Sequence, residues 1–164
     1  VEMTVYDYLV CVVAGEMPVS FEPEALKAQA VAARSYLQRS LGAKKHDNAD
    51  ICTDPACCQA YISCEDLKKA WGDKYDAYIA RIREAVSDTD GKYLSYDGEA
   101  ALAAFHSSSD GTTEDSGALW SSLPYLVSVS TPETAENVPN FVSTLTLKDI
   151  DFRDTVLYLK PEAD

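Results

Sequence analysis

Four residues in the first half of the chain have side chains that could together bind a metal ion. They share one short loop with the spacing H-x5-C-x4-C-C: His46, Cys52, Cys57 and Cys58. All four are zinc-ligand types, and four protein ligands complete a tetrahedron that leaves no open position for catalysis. The spacing leaves a second interpretation open, in which two of the five cysteines form a disulfide and the histidine lies on the surface.

A second candidate for chemistry is the carboxyl group of Glu16, within the sequence Gly15-Glu16-Met17-Pro18. It directly follows an apolar run over residues 5–14. A carboxyl group at the edge of an apolar segment can keep its proton near neutral pH, as a general acid must. The alternative is a solvated glutamate at the end of an element, because perturbed carboxyl groups are a minority.

A third candidate is the polar loop over residues 105–114, with the sequence FHSSSDGTTE. Its imidazole, hydroxyl and carboxylate groups are suited to hydrogen-bond sugar hydroxyls or acetamido groups. His106 and Ser107 are poorly placed to act as a base and its nucleophile, because neighbours in a strand point to opposite faces. The alternative is a polar turn in which His106 bonds to the backbone.

The element that must position several of these groups is a helix predicted over residues 23–41. Pro23 suits the first helical turn and Gly42 suits a position just past the end. An apolar stripe recurs at residues 26, 30, 33, 37 and 41. Lys27 and Arg34 lie seven residues apart on another face, where they either place positive charge near Glu16 or are solvated.

The remaining elements predict an α+β fold in a single domain over residues 1–164. Residues 5–14 form a strand or a buried helix, which periodicity cannot separate in so short a run. Ser63 suits the cap of a further helix, and residues 75–86 have a helical apolar pattern. Later segments favour strands: a hairpin over residues 92–105 that turns at Asp97-Gly98, then residues 126–130 and 141–147. Helices followed by mostly antiparallel strands are typical of α+β folds.

The composition excludes several classes of function. The chain has 14 Lys and Arg against 27 Asp and Glu, for a net charge of −13. This argues against binding to nucleic acid or to an anionic membrane surface, since both require basic residues. No apolar run approaches the roughly eighteen residues of a membrane span, and the N-terminus lacks the basic region of a signal peptide. We therefore expect any anchor or export signal to lie outside this sequence.

Several blocks of the sequence resemble, in the same order, the stage II sporulation protein D (SpoIID) family. Two of them are VAGEMP at residues 13–18 and FEPEALKAQAVAARSY at residues 21–36. The others are ICTDP, CQAY, AFHSSS and LPYL, which begin at residues 51, 58, 104 and 123. The chain departs from the family where Cys57 replaces His, Cys11 and Asp110 replace Gly, and Thr112 replaces a basic residue.

This resemblance implies a lytic transglycosylase of endospore formers that acts on peptidoglycan. Such an enzyme cleaves the bond between N-acetylmuramic acid and N-acetylglucosamine in strands stripped of their stem peptides, and leaves 1,6-anhydro-muramic acid ends. The resemblance assigns the catalytic acid to Glu16 and a structural zinc ion to a Cys3His set formed by His46, Cys52, Cys57 and Cys58. The residues expected in the substrate cleft are Lys27, Gln29, Arg34, His106, Ser107, Ser108 and Ser109.

The same resemblance implies partners and a location. The partners expected are peptidoglycan strands, an amidase and membrane proteins of engulfment, with no nucleic acid. The location expected is outside the cytoplasm, facing the cell wall, with the native protein anchored to the membrane between forespore and mother cell and with a C-terminal part beyond this sequence. Because relatives of the domain act as amidase enhancers, a glycan-binding module without catalysis is the alternative function.

Overall fold

The computed structural model describes residues 2–41, 43, 45–138 and 141–152. The chain forms two compact units, Val1–Phe105 and His106–Asp164. The helices of the first unit are α1 (Val5–Glu16), α2 (Pro23–Ser40), α3 (Cys64–Trp71) and α4 (Tyr75–Asp88), with a 3-10 turn at Gly72–Lys74. Two short strands follow, β1 (Ser95–Tyr96) and β2 (Glu99–Ala100). The second unit contains α5 (Ser116–Leu119), and residues 149–152 are also helical.

The core of the first unit forms around α1, which packs against both α2 and α4. Six consecutive residues of α1, Tyr8 through Val13, are buried. A helix that is apolar on all its faces belongs in the middle of a core, and this burial explains why its sequence resembles a strand as much as a helix. Although α1 is apolar, no helix in the described part of the chain is long and apolar enough to cross a membrane.

The long helix predicted from residue 23 is confirmed as α2, with Pro23 in its first turn. Its apolar stripe is buried as expected at Leu26, Ala30, Ala33 and Leu37. The predicted cap of α3 is also confirmed, because the Ser63 hydroxyl oxygen accepts a hydrogen bond from the Asp66 N–H at 3.1 Å. The predicted pattern over residues 75–86 is confirmed as α4, whose buried face includes Ile79, Ile82 and Val86. Gly42 lies outside the described residues.

The β part is smaller than predicted. The hairpin turn is confirmed, because Asp97 and Gly98 both have positive φ, 52° and 83°, as a type I′ turn requires. Each strand has only two residues, paired as Ser95 with Ala100 and Tyr96 with Glu99. The coarse α+β description holds, since helices come first and a small antiparallel sheet follows.

The prediction of strands over residues 126–130 and 141–147 is wrong. Among the described residues, the second unit has one isolated antiparallel bridge, between Thr112 and Ser130. Val127, Val129 and Val142 are exposed, so these segments have no sheet or helix face to cover them. β propensity mostly measures how well a side chain packs against neighbouring strands, and without those neighbours an alternating sequence stays irregular.

Candidate active site and metal centre

The four predicted metal ligands converge on one point. Their donor atoms, on His46, Cys52, Cys57 and Cys58, all lie within 4.8 Å of one another. The His46 Nε2 lies 3.4 Å from the Cys58 Sγ and 3.9 Å from the Cys57 Sγ, and the two sulfur atoms are 4.0 Å apart. Tetrahedral zinc, with bonds of about 2.3 Å to sulfur and 2.0 Å to nitrogen, requires donor separations of about 3.5–3.8 Å. The cluster therefore has the donor set of a zinc site, and these three separations lie near the required values.

A tight turn makes two adjacent cysteines face the same point. The backbone N–H groups of Cys57 and Cys58 both donate to the carbonyl oxygen of Asp54, at 3.0 and 2.7 Å. The Asp54 side chain also accepts from the N–H of Ala56 at 2.9 Å. All five cysteines of the chain are free thiols in this structure.

Groups outside the cluster fix its position, and groups within the cluster lower the pKa of one of its thiols. The Tyr36 hydroxyl of α2 donates to the Cys57 carbonyl at 3.3 Å, and the Lys45 ammonium group donates to the same oxygen. Burial opposes ionisation of Cys58, but hydrogen bonds with the Cys52 backbone and with His46 outweigh it and lower the pKa of the Cys58 thiol to about 6. The cluster thus supplies a ready thiolate, the form that binds metal.

Glu16, the candidate general acid, is the last residue of α1 and is half-buried. Its Oε1 accepts a hydrogen bond from the backbone N–H of Ala60 at 2.7 Å. Gly15 lies against the same segment, since a Cβ there would be in van der Waals contact with the Ala60 carbonyl carbon and oxygen at 3.4 Å. In the described part of the chain only Oε1 of this carboxyl group accepts a hydrogen bond, so the donor fixes the carboxyl group and leaves Oε2 for proton transfer.

Residues 59–63, which we call the connecting segment, follow the loop that ends at Cys58, which we call the metal loop. The segment reaches Glu16 through the hydrogen bond from Ala60. It begins one residue after Cys58 and runs along α1. The Tyr8 hydroxyl donates to Gln59 Oε1 at 3.5 Å, and the N–H of Ile62 donates to the Cys11 carbonyl at 3.3 Å. The position of the N–H that holds Glu16 therefore depends on both the metal loop and the packing of α1.

The three substrate residues predicted on α2 have unequal access to a ligand. Lys27 is partly exposed and pairs with Glu24 and Asp88, each at 3.0 Å. Gln29 is 6% exposed and Arg34 is 3% exposed. A ligand could reach these two side chains only after the packed helices had moved.

Arg34 has a structural set of partners instead. Its guanidinium group donates to the carbonyl oxygens of Val86 and Lys92, each at 3.0 Å, and to the Thr89 hydroxyl at 3.3 Å. These acceptors lie at and beyond the end of α4, where helix carbonyls lack partners within the helix. Burial lowers the pKa of Arg34. In this position Arg34 stabilises the end of α4.

In the second unit, the predicted serine loop is held by a carboxylate. Ser109 donates to Glu133 Oε2 both through its hydroxyl, at 2.5 Å, and through its backbone N–H, at 3.1 Å. The Ser109 and Thr131 hydroxyl oxygens are 2.6 Å apart. The Ser109 hydroxyl lowers the pKa of Glu133. His106 and Ser107 are exposed in this loop, while Ser108 and Ser109 are half-buried.

Sequence reasoning missed several groups that support these sites. They are the Ala60 N–H, the Tyr36 hydroxyl, the Lys45 ammonium group and the Glu133 carboxylate. Ala60 acts through its backbone, so its side chain carries no signal. The ligand spacing predicted the metal loop, but nothing in the sequence indicated that the Cys57 carbonyl would meet Tyr36 of α2.

Comparison with known proteins defines the class to which this fold and site belong. Residues 1–96 match the SpoIID family of stage II sporulation proteins, which is more than half of the chain. The chain belongs to this family, as the sequence blocks predict.

Three individual relatives show how similar the chain is to members of known name. The chain is 40% identical over 151 residues to Stage II sporulation protein D of Bacillus subtilis (strain 168), which covers 90% of the chain and 44% of the relative. The same figures hold for Stage II sporulation protein D of Bacillus amyloliquefaciens. The chain is also 34% identical over 141 residues to an Amidase enhancer of Bacillus subtilis (strain 168), and this match covers 85% of the chain and 17% of the relative. The chain thus spans less than half the length of the curated relatives it matches.

Proposed function

We propose that this chain is the catalytic part of a lytic transglycosylase that cleaves peptidoglycan glycan strands. The observation that carries the proposal is the geometry of Glu16. Glu16 is the last residue of α1, a helix fixed in the core. One oxygen of its half-buried carboxyl group accepts a 2.7 Å hydrogen bond from the Ala60 N–H. A carboxyl group oriented in this way is suited to transfer a proton to and from one place on a substrate.

The reaction requires only one such group. The carboxylic acid of Glu16 protonates the glycosidic oxygen as the bond to C1 of N-acetylmuramic acid breaks. The resulting carboxylate then accepts the proton of the C6 hydroxyl while its oxygen attacks C1 and closes the 1,6-anhydro ring. Hydrolases need a second carboxylate to activate water or attack the sugar, but here the nucleophile is part of the same ring, and proximity supplies much of the rate.

The substrate in this proposal is a strand from which stem peptides have been removed. Among the residues predicted for the cleft, those with exposed or partly exposed side chains are the better candidates for direct contact: Lys27, His106, Ser107, Ser108 and Ser109. Gln29 and Arg34 are candidates for indirect roles, because they are buried. The net charge of −13 suits a ligand other than nucleic acid.

The metal centre has a structural role in this proposal. Zinc held by His46, Cys52, Cys57 and Cys58 would be coordinatively closed, and it would fix the loop from which the connecting segment starts. That segment carries the N–H that orients Glu16. A zinc ion held there would take no part in the bond-breaking step and would contribute by fixing the position of a hydrogen-bond donor.

The proposed setting is the cell wall during engulfment in sporulation. There the chain would act on peptidoglycan outside the cytoplasm, as part of a longer membrane-anchored protein. An amidase that removes stem peptides would supply its substrate, and membrane proteins of engulfment would be its neighbours. The names of the relatives, a sporulation protein and an amidase enhancer, support this setting.

The experiment that tests the activity compares Glu16→Gln with wild type on purified, peptide-free glycan strands. We expect the variant to lose at least ~1000-fold in rate while it keeps its circular dichroism spectrum, because Gln cannot donate an acidic proton. The matched control is Glu22→Gln, an exposed residue with no side-chain capping bond. Mass spectrometry must find products that lack one water, and activity retained in Glu16→Gln would refute the assignment.

The second candidate function is a glycan-binding module that stimulates an amidase. The observation that favours it is the 34% identity to a protein named Amidase enhancer. This function predicts that wild type binds stripped strands and raises amidase turnover without releasing anhydro products. The same digestion separates the two proposals, because a binding module leaves the strands uncut.

A further inference from the structure

The two cysteines outside the metal cluster lie side by side. Cys11, on α1, and Cys64, the first residue of α3, are 53 residues apart in sequence, yet their Sγ atoms are 3.7 Å apart. Cys11 is 3% exposed, whereas Cys64 is half-buried and within reach of solvent. Since three of the five cysteines belong to the metal cluster, all of the remaining thiols form this one pair.

The surroundings of the pair favour a covalent bond over a second metal site. Its neighbours include two tyrosine hydroxyls, since Tyr61 interacts with Cys11 and Tyr75 interacts with Cys64. Among the described residues, the only group of three or more metal-ligand side chains is the one around His46. Two thiols without further ligands do not make a zinc site, but two thiols in contact can be oxidised.

The backbone already brings the two helices together at this point. The Cys11 carbonyl accepts the N–H of Ile62 at 3.3 Å, and Ser63 caps α3 at its first turn. The connecting segment therefore starts beside Cys58, a metal-cluster residue, and ends beside Cys64. A bond between Cys11 and Cys64 would fix its second end to α1.

We propose that Cys11 and Cys64 form a disulfide that ties α3 to α1 and holds the connecting segment at both ends. Sulfur atoms 3.7 Å apart need to approach by about 1.7 Å to reach the bond length of about 2.0 Å, a movement within reach of side-chain rotation. This inference concerns the chain's covalent structure and does not depend on the proposed function.

The oxidant is a small organic disulfide, and the exchange proceeds in two steps. The thiolate of Cys64, the accessible partner, attacks one sulfur of the reagent and releases one thiol. The thiolate of Cys11 then attacks the Cys64 sulfur of the mixed disulfide and releases the second thiol. Each protein thiol loses one proton and one electron, and the reagent's S–S bond is reduced to two thiols.

The test oxidises the zinc-loaded chain with oxidised glutathione, so that the metal shields the cluster thiols. The protein is then denatured with chelator, alkylated, and cut with chymotrypsin after Tyr61, which separates Cys64 from the other cysteines of its region. We expect three alkylated cysteines, and one cross-linked peptide pair that contains Cys11 and Cys64 and is 2 Da lighter than the two reduced peptides together. Five alkylated cysteines, or a disulfide that uses Cys52, Cys57 or Cys58, would overturn the proposal.

A stability measurement gives an independent readout. The oxidised wild type should unfold about 5–10 °C higher than the reduced wild type, because the bond closes a long loop. Cys64→Ser should lose this response to reductant while it keeps its zinc content, and Cys11→Ala should do the same. An equal response in either variant would contradict the proposal, and if neither variant folds, the peptide map of wild type decides alone.

Discussion

Two candidate sites in this chain are held in different ways. In the first unit, Glu16 ends a helix with six consecutive buried residues, and its partner N–H lies on a segment that starts at the metal loop. In the second unit, the serine loop is held by hydrogen bonds of Ser109 to Glu133 and Thr131, all within exposed or half-buried surface. One site depends on core packing and on a segment that starts at the candidate metal loop, and the other depends on a local polar network.

This difference matches what the two sites would do. A proton donor must keep its orientation to within a fraction of an ångström, so it benefits from a core helix and a second fixed element. A loop that contacts sugar hydroxyls can tolerate small movements, because several weak hydrogen bonds share the contact. We therefore expect perturbations of the first site to have large effects and those of the second to have small ones.

Removal of the proposed zinc ion should produce the largest effect. Zinc that binds only the folded state at about 1000 times its dissociation constant adds roughly 4 kcal/mol. A chelator should therefore lower the unfolding midpoint by about 10 °C or more. Cys58→Ser, which removes a ligand, should be equally unstable with and without chelator.

The control for this prediction is Cys64→Ser, measured in reductant, because Cys64 lies outside the cluster. It should bind about one zinc per chain and respond to chelator as wild type does. Equal midpoints for wild type with and without chelator would show that the first site does not depend on coordination, and the contrast between the two regions would disappear.

A smaller effect is expected from Ala60→Pro, which removes the N–H that holds Glu16. Proline has no backbone donor, so Oε1 loses its 2.7 Å partner while the carboxyl group remains. We expect kcat on stripped strands to fall by about 10–100-fold, with KM nearly unchanged, because orientation and not binding is lost.

The matched control for Ala60→Pro is Ile62→Pro, which also removes a backbone donor from the connecting segment. The donor that it removes bonds to the Cys11 carbonyl and not to Glu16. Both variants should keep their zinc. If both lost the same activity, the segment as a whole would matter and the single hydrogen bond to Glu16 would not.

The sequence predicted those features that depend on local patterns. The stripe from Leu26 to Leu37 predicts α2 because a helix that covers one side of a core repeats its apolar residues every three or four positions. The convergence of His46, Cys52, Cys57 and Cys58 was predictable because ligand types in one loop need only a turn to bring them together, although their spacing also allowed a disulfide. The pair Asp97-Gly98 predicted the hairpin turn because few residue pairs can adopt positive φ at both positions.

The features that the sequence did not predict depend on partners far along the chain. Arg34 shares a helix face with Lys27, but that face of α2 meets the end of α4, which one helix's pattern cannot reveal. Residues 126–130 alternate like a strand, yet only neighbouring strands would have made them one. The Ala60 donor is a backbone group, so any residue except proline would provide it equally.

The smallest effect is expected at the serine loop, and it depends on pH. The Ser109 hydroxyl lowers the pKa of Glu133 from its ordinary value of 4.5, so the interaction stabilises the folded state fully above that value. As pH falls through 4.5 and then through the lowered pKa of the folded state, this stabilisation is lost. Ser109→Ala should therefore lower the unfolding midpoint by at most a few degrees at pH 7.

The difference between Ser109→Ala and wild type should shrink as pH falls below 4.5 and Glu133 gains its proton. Ser107→Ala is the matched control, since that side chain is exposed in the same loop, and it should follow wild type at every pH. A difference that stays constant from pH 7 to pH 3 would mean that Ser109 acts through packing or the neighbouring Thr131 hydroxyl and not through the charge of Glu133. The second site would then resemble the first, because contacts that do not depend on protonation would hold both.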